Sequence, residues 1–136
     1  MHNSNNDFKT EIVNINYKDN FVDVKVIIPK SVMENLQKYG FIKTPLDKSN
    51  EKKLLEELYE KIKNDTTIRK LIKKEIDNAN KVLYLYNPET QTIKYGLYFV
   101  NIDNENVNLF FRVTFTNLEL SKNKSVNKPN NITNKK

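Results

Sequence analysis

Few residues in this chain are of the types that do covalent chemistry. There is no Cys and a single His, His2, six residues before the first strand-like segment. A Cys or His nucleophile with a positioned base needs partners that this composition lacks. A Ser–His–Asp arrangement would have to recruit His2 from the chain end. A structural zinc site needs thiolate or imidazole ligands, so none is expected. Two isolated glycines, Gly40 and Gly96, cannot build a phosphate loop or a dinucleotide fingerprint. Carboxylates, lysines, tyrosines and hydroxyls remain. The nearest acidic pair, Asp103 and Glu105, falls in a turn-like stretch, where solvated carboxylates are the ordinary finding. The expectation is a non-enzymatic protein with no catalytic residues, no metal and no cofactor.

Two sets of residues could instead do recognition. The first lies in the aromatic-rich last third, where Tyr84, Tyr86, Tyr95, Tyr98, Phe99, Phe110, Phe111 and Phe115 fall within 32 residues. If Tyr98 pairs across a hairpin with residues near 111, then Tyr98, Phe110 and Arg112 share one face of a sheet. Tyr, Phe and Arg are enriched at interface cores. These three are the candidate partner-binding residues. The second set is a basic strip, Arg69, Lys70, Lys73 and Lys74, spaced so that 69/73 and 70/74 are i,i+4 neighbours on a helix. That strip is the candidate nucleic-acid contact of the alternative reading.

Net charge points weakly toward a polyanion. The chain carries +6, but residues 121–136 hold five lysines and no acid, which leaves residues 1–120 at +1. The basic character belongs to a tail with only Val126 and Ile132 as apolar residues. Such a segment cannot bury enough surface to order itself. Removing residues 121–136 is therefore predicted to leave the fold intact. A thermal midpoint lowered by more than about 4 °C, roughly 1 kcal/mol for a domain of this size, would show the tail to be structural.

The elements that must position these residues follow from periodicity. Phe8–Tyr17 and Phe21–Ile28 read as a hairpin; Val22, Val24, Val26 and Ile28 alternate with Phe21, Asp23, Lys25 and Ile27. Ser31 and Glu34 have the spacing of a capping box for a helix over 32–39, with Val32, Leu36 and Tyr39 inward and Gly40 as its left-handed stop. Ser49 or Asn50 caps a second helix over 51–63 with Leu54, Leu55, Leu58 and Ile62 as its stripe. Asn64-Asp65-Thr66 caps a third to about Asn80, with Ile68, Leu71, Ile72, Ile76 and Ala79. The period then returns to two: strands over 81–86, 92–102 and 107–120. The predicted order is ββαααβββ, an α+β domain over residues 8–120 with five strands in one mainly antiparallel sheet and three helices on one face. Residues 1–7 and 121–136 are expected to be disordered. On the sheet, Ile93, Tyr95, Leu97 and Phe99 are expected on one face, and Tyr98, Val100 and Ile102 on the other.

Two short stretches resemble nucleic-acid-binding families. Val22–Pro29 followed by Lys30-Ser31 resembles the strand-then-helix start of the ribbon-helix-helix family, which would imply DNA readout by Asp23, Lys25 and Ile27. A preceding strand and a helix–helix link of about ten residues depart from that pattern. Tyr95–Ile102 resembles the RNA-recognition-motif octamer at Gly96, Phe99 and Val100, but a turn stands where that fold needs a helix.

No run of 18 apolar residues is present and the first seven residues lack an apolar signal region, so a cytoplasmic protein with no membrane contact is expected. Abundant Asn and Lys with one Ala and two Arg suggest an A+T-rich genome. Chains of this kind are common in viruses and mobile elements, where they bind and block host machinery. The expected function is binding or inhibiting a host protein or complex, with homodimer formation as an added expectation and nucleic-acid binding as the alternative.

Overall fold

The computed structural model describes residues 8–117. The expected disordered ends, the basic tail and the strand end at 118–120 lie outside them. The elements are β1 (Lys9–Asn16), β2 (Phe21–Pro29), α1 (Lys30–Lys38), a 3-10 turn (Lys48–Asn50), α2 (Glu51–Ile62), α3 (Thr66–Leu83), β3 (Gln91–Ile102) and β4 (Asn106–Asn117). Four antiparallel strands form one sheet in the order β1-β2-β4-β3. The class is α+β, with four strands rather than five.

The missing strand has one near cause and one distant one. Lys81–Leu83 continue α3, which ends at Tyr84 in the left-handed region (φ 53). The Asn80 side chain then takes the backbone that a ladder would have used. Its Oδ1 accepts from Leu85 N and Tyr86 N, and its Nδ2 donates to the Tyr86 carbonyl at 2.9 Å. Leu85 is buried and the Tyr86 ring stacks on Phe115 at 4.6 Å, so the segment packs as a connector.

The core lies between the helices and one face of the sheet. Val22, Val24, Val26 and Ile28 of β2 meet Val107, Leu109, Phe111, Val113 and Phe115 of β4 there. The expected stripes of α2 and α3 face it: Leu54, Leu58, Ile62, Ile68, Ile72 and Ile76 are all buried. The Asp65 carboxylate caps α3 by accepting from Thr67 N and Ile68 N.

Other caps differ from expectation. β2 runs straight into α1, so Pro29 stands in the cap position and no side chain caps the helix. The Lys30 N–H is satisfied instead by the Glu105 carbonyl at 2.8 Å. Asn50 precedes α2 but its side chain, with that of Ser49, donates to Asp47. At the end of α1, Gly40 (φ 80) and Phe41 return N–H bonds to Gln37 and Leu36, the paired bonds of a Schellman stop. That reversal leaves Tyr39 in solvent, and Met33 is the residue α1 buries. Glu57 of α2 then secures the following loop, accepting from Lys43 N, Thr44 N and the Thr44 hydroxyl. Burial pushes its carboxyl up, but those three donors outweigh it and hold the group below the usual carboxylate range.

Candidate interaction face of the sheet

Residues that alternate with the core set point to the opposite face. β2 contributes Phe21, Asp23, Lys25 and Ile27, and their partners on β4 are Thr114, Arg112, Phe110 and Asn108. The buried residues of α1, α2 and α3 belong to the core cluster on the other side. Two bulges change what reaches it. In β1 the register shifts between Ile12 and Asn14, leaving Val13 as the extra residue. In β3 it shifts between Leu97 and Phe99, leaving Tyr98 as the extra residue. A bulge restarts the alternation one residue later. Phe99 therefore faces Phe110 on the open side, while Val100 and Ile102 pair with Leu109 and Val107 in the core. The expected placement of Phe99 with the core set, and of Val100 and Ile102 with Tyr98, is corrected accordingly.

Tyr98, Phe110 and Arg112 do come together. The Tyr98 and Phe110 rings lie 6.4 Å apart, and the Arg112 guanidinium sits 5.4 Å from the Tyr98 ring. Phe99 adds a third ring, 5.5 Å from Phe110. Tyr98 and Phe99 are 44% and 47% exposed, adjacent apolar residues on an edge strand beside Phe110. Sequence reasoning missed Phe21, Asp23 and Lys25 as members of this group. Their facing was visible in the alternation of β2, but the pairing of β2 with β4 was not.

Asp23 organises the centre. It is 4% exposed and accepts from Arg112 Nε at 2.8 Å, Arg112 Nη2 at 3.0 Å and Asn14 Nδ2 at 3.2 Å. Burial raises its pKa, but the Arg112 and Asn14 hydrogen bonds and the guanidinium charge prevail and hold it below the usual range. The guanidinium also lies 3.8 Å over the Phe21 ring, a close cation–π contact. Beside it, Lys25 Nζ is 3.5 Å from Glu11 and 6.0 Å over the Phe110 ring.

The other candidate sets lie outside the aromatic patch. Asp103 is a turn residue: its carboxylate accepts from Glu105 N, Asn106 N and Asn108 Nδ2, which holds its pKa down. In the basic strip, Arg69 donates to the Lys63 carbonyl and stacks 5.6 Å from Tyr95, and Lys73 pairs with Asp77 at 2.7 Å. Lys70 and Lys74 are exposed, with no ion pair among the described residues. β2 has neighbours on both edges, so it cannot form a ribbon with a second copy as the ribbon-helix-helix pattern requires. No group of three or more acidic or His residues suited to a metal ion occurs among the described residues.

No family model, curated protein or solved structure matches this chain. No helix among the described residues is long and apolar enough to cross a membrane.

Proposed function

We propose that this chain is a non-catalytic binding protein whose target is another protein, held on the open sheet face around Tyr98, Phe110 and Arg112. The observation that carries this reading is the pairing of charge within the aromatic patch. Both cations beside the rings already face a carboxylate, Arg112 with Asp23 and Lys25 with Glu11. Phosphate binding draws on cations free to neutralise phosphates, and within the patch both are paired, leaving the flanking Lys94 exposed without an ion pair among the described residues. A surface with exposed aromatics, an ordered Arg and little net charge resembles the core of a protein interface. The composition supports a viral or mobile-element origin, with a host protein or complex as target and inhibition as the outcome of binding.

The test is capture from native host cells by the full chain and by a Tyr98→Ala, Phe110→Ala variant. The variant is expected to lose the captured partner while keeping its far-UV circular dichroism. Capture unchanged by the double substitution would remove the face from the mechanism. Sedimentation of the same pair tests self-association, which the variant is expected to weaken if two copies meet here.

A second reading rests on Lys70 and Lys74, the exposed members of the α3 strip. Nucleic-acid binding there would weaken steeply with salt, with a slope near 0.9 per phosphate contacted. Nuclease treatment of the captured material separates the two readings.

A further inference from the structure

Gly96 lies directly opposite Arg112 in the β3–β4 ladder, on the open face. A Cβ placed on Gly96 would meet nothing nearer than the Arg112 carbonyl oxygen at 3.9 Å, an ordinary contact, so a side chain could be added here without a clash. The ladder brackets the gap. Lys94 is two residues before Gly96 on the same face, and the Tyr98 bulge is two residues after.

Arg112 forms the third side. Its bonds to Asp23 use Nε and Nη2, one edge of the guanidinium. The group carries five N–H donors in a planar fork, so a second edge, including Nη1, has no hydrogen-bond partner among the described residues. The two bonds to Asp23 and the Phe21 ring at 3.8 Å hold that plane still. The Arg112 side chain is 47% exposed, and Lys94 is exposed with no ion pair among the described residues. The missing side chain at Gly96 leaves a notch in the cover of this face, with Arg112 across the ladder and the exposed Lys94 ammonium along the strand.

We propose that the notch over Gly96 receives a carboxylate, an Asp or Glu side chain of the protein partner. The outer donors of Arg112 and the Lys94 ammonium accept its charge, while apolar residues beside it settle on Tyr98, Phe99 and Phe110. This rests on the protein-binding reading above and names the chemistry of that partner. A second copy of the chain is a poor occupant. The acids on its own open face, Glu11 and Asp23, are already engaged by Lys25 and Arg112. A single-stranded nucleic acid would need open ring faces for its bases. The Phe21 face is covered by Arg112, which is itself paired with Asp23, so among the described residues this face lacks the run of free cations that tracks a nucleic-acid backbone.

The experiment selects a random twelve-residue peptide library on the full chain and measures the enriched peptides against variants. Enriched peptides are expected to carry Asp or Glu next to an aromatic or aliphatic residue. Their affinity is expected to fall at least about tenfold in Gly96→Val and in Lys94→Glu, the loss of one charge-assisted contact. Gly96→Val fills the notch with a residue suited to strands; Gly96→Ala and the exposed Lys94→Glu cover the case that it folds poorly. Peptides that require Tyr98 and Phe110 but carry no acid, or ignore Gly96→Val and Lys94→Glu, overturn the notch and leave the binding face standing. Peptides indifferent to Tyr98→Ala with Phe110→Ala overturn both, as does a library that yields no binder. A labelled oligothymidylate that binds the chain and is lost in Gly96→Val overturns the proposal by making the anion a phosphate.

Discussion

Leu58→Ala and Ile72→Ala each lower the stability of the fold by about 2–5 kcal/mol, the usual cost of truncating a buried aliphatic side chain. Both side chains are essentially without solvent contact and sit mid-stripe on α2 and α3. Each removal costs the transfer of the lost methyl groups and leaves a cavity that close-packed neighbours only partly fill. The two helices reach the sheet at different places: α2 lies mainly against β3 and α3 against β1. Chemical denaturation checks each loss through the midpoint at unchanged slope. A midpoint equal to wild type in both variants would mean that these stripes do not face the core.

Asp23→Asn removes part of the acid sensitivity of the fold along with part of its stability at neutral pH. The folded-state pKa of Asp23 is held below its unfolded value by Arg112 and Asn14. Above the unfolded pKa, about 4, the carboxylate is ionised in both states and its stabilisation is complete. As pH falls toward the folded pKa, the unfolded chain takes up the proton first, and that stabilisation is lost. The amide has no such titration and leaves Arg112 without its counter-charge. Wild type and variant should therefore differ most at neutral pH and converge in acid. Glu57 and Asp103, whose pKa values are also lowered, keep a residual slope in both proteins. Thermal melts from pH 7 to pH 2 decide it. A constant gap between the two proteins across that range would show that Asp23 titrates alike when folded and unfolded.

Much of this architecture could be read from local pattern. The period of two in Phe21–Ile28 and the stripes of α2 and α3 reflect which side of an element meets water, and that is written every second or every third to fourth residue. The stop at Gly40 and the cap at Asp65 follow from backbone chemistry within a few residues. The aromatic patch was visible in the same way, because Phe110 and Arg112 alternate with buried Leu109, Phe111 and Val113.

What escaped local reading depends on partners far away in the chain. Lys81–Tyr86 has strand-like alternation, yet the Asn80 side chain and the Phe115 ring hold it as a connector. Tyr98 is extra in its ladder only because β4 beside it runs without interruption, and that one residue sends Phe99 outward and Val100 inward. Asp23 and Arg112 are 89 residues apart, and nothing in either neighbourhood announces the pair. Alternation assigns a residue to a face. Which strands lie side by side, and therefore which charges meet on that face, depends on how the helices close the sheet between β2 and β3. That long-range arrangement turned three candidate residues into a charge-paired aromatic surface.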